Sequence, residues 1–238
     1  MSKTSSPHVL IVKTGTTDPG VVVRHGDYDD WFARELAKGG ARWSVVAAHA
    51  GEPMPAPGRF DGIILTGSPL SVRDDADWMP RLGAWALAAA AEVPVLAVCF
   101  GHQVVGEALG GRIEQNPAGG EYGTISVDLT EAGQAHPLFA GMSSRINVQS
   151  THKDALVGAP TAPETTLLGS TDNTLWQTYS WRERLHAVQF HPELEAAALS
   201  DLMASRDIPG DPHPAPDGPR ILANWLAFVR AQLPSTGA

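Results

Sequence analysis

The run Val93-Pro94-Val95-Leu96-Ala97-Val98 is apolar at every position, and a helical pattern begins where it ends. A strand with no polar alternation has to be covered on both faces, as a central strand of a parallel sheet is covered by helices. The segments around it share this rhythm. His8-Val9-Leu10-Ile11-Val12, Trp43-Ser44-Val45-Val46 and Gly62-Ile63-Ile64-Leu65 read as strands. A helix is expected from Tyr28 to Lys38, ended by Gly39-Gly40, and an Ala-rich helix from Arg81 to Ala91. The stretch between Val12 and Tyr28, rich in Gly, Thr, Asp and Pro, reads as a loop. Strand-helix alternation of this kind predicts a doubly wound α/β sheet.

From about Gly110 the pattern changes. Arg112 to Glu114, Gly123 to Leu129, Arg145 to Val148, Thr166 to Leu168 and Leu185 to Phe190 are strand-like and joined by turns, which predicts mixed or antiparallel strands added to the same sheet. Helices are expected from Leu194 to Ser205 and from Arg220 to Leu233, with the Pro/Gly/Asp-rich stretch from Pro209 to Pro219 as their connector. Too few residues follow that connector to bury a separate core, so residues 8–238 are expected to form one domain behind a loose tail, 1–7.

Composition narrows the functional classes. With 17 Lys and Arg against 26 Asp and Glu the formal net charge is -9, which argues against a nucleic-acid partner. No apolar stretch reaches the roughly 20 residues needed to span a bilayer. No secretory signal is evident at Met1 to Pro7, and a single cysteine in 238 residues suits a reducing compartment, so a cytoplasmic protein without a membrane partner is expected. The nine histidines show no HExxH or similar spacing, so neither metal nor cofactor is expected.

That one cysteine is Cys99, at the junction of the central strand and the following helix. A thiol there stands at the carboxyl edge of the sheet, where α/β folds place ligands, and at a helix N-terminus that favours the thiolate. Gly101 leaves room for the crowded backbone. A buried structural cysteine fits this segment equally well.

Further along, Leu185 to Phe190 ends in His191-Pro192-Glu193, which puts an imidazole and a carboxylate two residues apart on one side of an extended segment. A cysteine nucleophile needs a base to form the thiolate and an acid for the leaving amine, and a carboxylate on the far ring nitrogen fixes the tautomer for both tasks. Cys99, His191 and Glu193 meet if their two strands adjoin. Alone, His-Pro-Glu also fits a solvated strand end. The turn Gly67-Ser68-Pro69 after Ile63 to Thr66 could aim amides at an oxyanion, with the Phe100 amide completing the hole, although such turns are common. His102, at the helix start, fits a cap or packing residue better than a second base. Trp176, Trp181 and Trp225 read as packing residues.

Taken together, Gly67-Ser68-Pro69, Cys99-Phe100-Gly101-His102-Gln103 and His191-Pro192-Glu193 resemble, in order and spacing, the class I (triad) glutamine amidotransferases. Glu121-Tyr122-Gly123 and Ser150-Thr151-His152-Lys153-Asp154 are similar to segments of the GMP synthase glutaminase domain and its stand-alone relatives. The resemblance implies a flavodoxin-like open sheet. It further implies that Cys99 attacks the γ-amide of glutamine or a γ-glutamyl compound, giving a thioester with His191 as acid and base and Glu193 orienting it. Gly67, Ser68 and Phe100 would form the oxyanion hole, and Gln103, Thr151 and His152 would seat the glutamyl group. Two residues depart from the family pattern: Ser68 stands where many members have Gly, and Lys153 where Gly is usual. Relatives with Arg at the latter place resemble γ-glutamyl peptide hydrolases. No nucleotide-binding loop appears, so a synthetase using the ammonia would be a separate chain. A self-sufficient γ-glutamyl peptide hydrolase is the alternative, and a non-catalytic, redox-sensing α/β module is a third reading.

Overall fold

A computed structural model describes residues 6–74 and 76–233. In chain order the elements are β1 (His8–Lys13), α1 (Pro19–His25), α2 (Tyr28–Lys38), β2 (Arg42–Ala47), β3 (Gly62–Leu65), α3 (Trp78–Ala90), β4 (Val95–Val98), α4 (Phe100–Ala108), β5 (Arg112–Gln115) and β6 (Glu121–Leu129). They continue with α5 (Glu131–Ala135), β7 (Arg145–His152), β8 (Asp154–Gly158), β9 (Thr165–Ser170), β10 (Thr178–Trp181), β11 (Leu185–Val188), α6 (Ala196–Ser205) and α7 (Asp217–Gln232). The expected tail falls mostly on residues 1–5, outside the described residues, while the Ser6 hydroxyl donates to the Gly40 carbonyl and the Pro7 carbonyl accepts from the Arg42 amide.

Nine strands form one sheet in the order β2-β1-β3-β4-β11-β10-β9-β6-β7. From β2 to β11 the pairings are parallel, and from β11 to β7 antiparallel. The parallel half is buried as its apolar runs require. Leu10, Val12, Ile63, Leu65, Val95 and Ala97 face one way, onto Leu82, Ala86 and Ala89 of α3 and Val104 and Val105 of α4. The alternate residues Val9, Ile11, Ile64, Leu96 and Val98 face Phe32 and Leu36 of α2 and Ile221, Trp225 and Val229 of α7. The period of two along each strand puts successive side chains into opposite layers. A third cluster, Val21 of α1, Tyr28 and Trp31 of α2 and Leu199, Leu202 and Met203 of α6, lies at the carboxyl edge.

Several expectations are corrected. The stretch before Tyr28 holds α1, with Pro19 at its first turn; Val21 to Val23 give it poor intrinsic helix propensity, and packing of Val21 against α6 offsets that. The strand expected at Arg112 to Glu114 does not join the main sheet: β5 pairs antiparallel with β8, Ile113 opposite Leu156. Two short strands, β8 and β10, occupy stretches expected to be turns. The run to Phe190 is a strand only to Val188; one further bond, from the Gln189 amide to the carbonyl of Gln177 opposite it, continues toward β10 before the chain bends to His191. Trp225 is buried in the layer between the sheet and α7, and Trp176 and Trp181 pack against the opposite layer. Among the described residues no helix is long and apolar enough to cross a membrane, and no three of the His, Cys, Asp and Glu side chains cluster as metal ligands.

Candidate active site

Because β4 and β11 are adjacent and parallel, with Val98 beside Val188, the segments that follow them leave the sheet at the same edge. Cys99 is the first residue after β4, and His191 the third after β11. The Cys99 amide donates to the Val188 carbonyl at 2.9 Å, and its backbone (φ 50, ψ -101) turns the chain abruptly from β4 into α4. For a residue with a Cβ this conformation costs on the order of 1–3 kcal/mol, and the surroundings hold it: the Gly101 amide donates to the Thr66 carbonyl, and a Cβ on Gly101 would lie 2.8 Å from that of Leu65. Cys99 is 5% exposed, at the floor of a pocket of about 280 Å³.

The strand-like expectation for His191 is met by a single antiparallel bridge to Gln149 of β7, with the His191 amide donating to the Gln149 carbonyl at 2.8 Å. His191 Nδ1 lies 2.7 Å from Glu193 Oε1, both side chains fully enclosed. Cys99 also adjoins this ring. Burial alone lowers an imidazole's pKa, but the Glu193 carboxylate and the adjoining Cys99 outweigh it and raise His191 from 6.5 to about 10. The ring also stacks on Tyr28, centroids 6.3 Å apart and planes at 24°.

Gly67 lies against both rings: a Cβ there would be 2.6 Å from His191 Cε1 and 3.3 Å from Tyr28 Cε1. The turn is pinned by Thr14, whose hydroxyl donates to the Thr66 and Gly67 carbonyls. Ser68 is accommodated because its hydroxyl donates to the Thr14 carbonyl at 3.0 Å. The amides of Gly67, Ser68 and Phe100 donate to no backbone carbonyl among the described residues.

Ser68, Phe100, Gln103, Thr151 and His152 all line the Cys99 pocket, so each of these sequence candidates is brought to it. Their freedom differs. The Gln103 amide donates to the Asp154 carbonyl (2.9 Å) and to Gln189 Oε1 (3.1 Å). His152 is engaged at both ring nitrogens, Nδ1 with the Asp154 carbonyl (3.0 Å) and Nε2 with Glu121 Oε2 (3.1 Å). His102 points away from the pocket, its Nε2 2.8 Å from the Trp176 carbonyl and its ring against Tyr179; burial pushes its pKa down to about 3.

Four lining or supporting residues had no role in the sequence reading: Tyr28, Asp18, Arg206 and Glu121. Tyr28 follows an Asp27 capping box, a signal of a helix start but not of a site. Asp18 and Arg206 are 188 positions apart, and Arg206 Nε donates to Asp18 Oδ2 at 2.9 Å on the pocket wall. A separate cavity of about 170 Å³ lies between α2 and α7, lined by Phe32, Leu36, Trp225 and Leu226 and not by Cys99.

Residues 22–205 match the family described as glutamine amidotransferase class-I. A glutamine amidotransferase-like protein of Schizosaccharomyces pombe is 30% identical over 211 residues, covering 82% of this chain and 83% of that protein. A glutamine-hydrolysing GMP synthase of Aeropyrum pernix is also 30% identical, over 97% of this chain but only 38% of its own length. Among solved structures, a glutamine amidotransferase from Methylobacillus flagellatus superposes with a TM-score of 0.72 at 21% identity, covering 95% of this chain and 94% of that one.

Proposed function

Since this chain belongs to the class-I glutamine amidotransferase family, we propose that it hydrolyses the γ-amide of glutamine through Cys99, His191 and Glu193. The observation that carries this reading is the His191 ring, held at Nδ1 by Glu193 and adjoining Cys99. The raised His191 pKa keeps the ring protonated at neutral pH, the form that can give a proton to the departing nitrogen.

In this mechanism the Cys99 sulfur attacks the amide carbon, and the negative charge that develops on oxygen is received by the amides of Phe100 and of Gly67 or Ser68. His191 gives its proton to the departing nitrogen, so ammonia leaves and a γ-glutamyl thioester remains. His191 then takes a proton from water, hydroxide adds to the thioester carbon, and glutamate leaves as the thiolate is restored. Glu193 keeps the imidazolium oriented. Gln103, Thr151 and His152 shape the wall that seats the glutamyl group, with Gln103 and His152 themselves locked by the bonds above. Residues 8–238 act as one soluble, cytoplasmic unit in this reading, and the ammonia passes to a synthetase on a separate chain. A glutamine-hydrolysing GMP synthase subunit of Saccharolobus solfataricus, 28% identical over 74% of this chain and 89% of its own length, supports a separate glutaminase chain.

The test is mass spectrometry after exposure to a glutamine-like diazo-ketone, together with glutamate release from glutamine. Labelling of Cys99 that is blocked by glutamine is the expected result. Unimpaired glutamate release by Cys99→Ala would overturn the mechanism. The redox reading needs no acid-base pair, so full activity in His191→Ala would favour it.

A further inference from the structure

The pocket has features that ammonia release does not call for. His191, the proposed proton donor to the departing nitrogen, is covered by Tyr28. Tyr28 in turn lies close enough to Arg206 to feel the charge of its guanidinium. The guanidinium of Arg206 is therefore separated from the proton donor by one tyrosine. That places it on the side of the site where the leaving group departs.

Arg206 is held there by the chain around it. Asp18 occupies the N-cap position of α1, yet its side chain caps no helix amide and instead accepts from Arg206 Nε. A guanidinium has five N–H donors, so the bond to Asp18 leaves others for a ligand. Its side chain is 26% exposed, within the Cys99 pocket. A second cation, Lys153, lines the same pocket and forms no ion pair among the described residues; the neighbouring Asp154 is occupied by Ser71 and Arg73. A chain with a formal net charge of -9 thus turns two cations toward its candidate thiol. Glutamine offers one carboxylate. A γ-glutamyl amino acid offers two, one on each side of the scissile amide.

We propose that Arg206 is a specificity-determining residue that binds a carboxylate on the departing amine, making γ-glutamyl amino acids preferred substrates of this site. This rests on the γ-glutamyl thioester reading above. The chemistry differs only in the leaving group: the C–N bond breaks, His191 protonates the nitrogen, and an amino acid departs in place of ammonia. In the departing amino acid the carboxylate carbon is two bonds, about 2.5 Å, from that nitrogen. The charge-assisted N–H···O bond to a guanidinium adds about 2.8 Å.

The experiment compares kcat/KM for γ-glutamylglycine and γ-glutamylglycinamide, which match in heavy atoms but differ in the terminal charge. Wild type is expected to prefer the acid by about tenfold or more. Arg206→Gln should bring that ratio to about one, Arg206→Lys should keep part of the preference, and Arg206→Glu should reverse it toward a γ-glutamyl amide of ethylenediamine. Because each readout is a ratio within one protein sample, partial loss of folded enzyme does not imitate the result. A wild-type ratio near one, or a ratio unmoved in Arg206→Gln, overturns the proposal while leaving glutamine hydrolysis intact. No turnover of glutamine or of either amide, with no labelling of Cys99, overturns the underlying reading and this one with it.

Discussion

Two buried histidine-carboxylate pairs lie among the described residues, and they differ in what is left over. His191 gives Nδ1 to Glu193 and adjoins Cys99. His152 gives Nε2 to Glu121 and Nδ1 to the Asp154 carbonyl. Both ring nitrogens of His152 are thus engaged within the protein, and neither is left for a substrate. Glu121 in turn receives Thr171 and Gln177; burial pushes its carboxyl up, but the bonds from His152 and Thr171 outweigh that and hold it below the usual range. A carboxylate beside a histidine is therefore as well suited to bracing a wall as to driving a reaction. The free ring nitrogen decides which.

The comparison breaks most visibly at the reacting end. Cys99→Ala or His191→Ala is expected to lower kcat/KM for glutamine by about 10^4-fold or more, with an unchanged circular dichroism spectrum. The bracing pair should respond in stability instead: Glu121→Ala leaves buried donors on His152, Thr171 and Gln177 without their acceptor and should cost about 3–5 kcal/mol in urea unfolding. Next in size is Glu193→Gln. The Gln149 bridge and Tyr28 still hold the ring, so kcat should fall only about 10^2-fold.

The smallest effect separates His191 from His102, which is buried without a carboxylate. His191 has a folded pKa raised to about 10, so its stabilising contribution is complete below pH 6.5 and is lost as pH rises through about 10. His102 is lowered to about 3, so below pH 6.5 the unfolded chain takes up a proton that the folded one refuses, and stability falls toward pH 3. Urea midpoints should accordingly drop at both ends of the pH range. His191→Gln should flatten the alkaline limb, and a limb of undiminished slope in that variant would contradict the assignment.

The legibility of these features in the sequence follows from where their causes lie. Val95 to Val98 and Ile63 to Leu65 announce themselves because double-sided burial leaves a continuous apolar run. The turn at Cys99 and the His191-Glu193 spacing are local, so they too can be read from neighbouring letters. Helix α1 cannot: its valines argue against a helix until α6, some 175 positions on, covers Val21. The role of His152 depends on Glu121 across the β6-β7 ladder, where the two are register partners. Arg206 carries no signal at all, since Asp18 and Tyr28 reach it only through the packing of α1 and α2 against α6.

The position of β11 has a consequence in time as well as in space. It is the last strand to be synthesised, yet it is fifth in the sheet, inserted between β4 and β10. A nascent chain therefore displays its thiol more than ninety residues before its imidazole emerges, with a gap in the sheet where β11 will go. Closing that gap demands a contact between distant parts of the chain, the slow kind of step in folding. A polypeptide stopped before residue 191 has a cysteine and no partner for it, so chemical competence arrives with completion of the sheet.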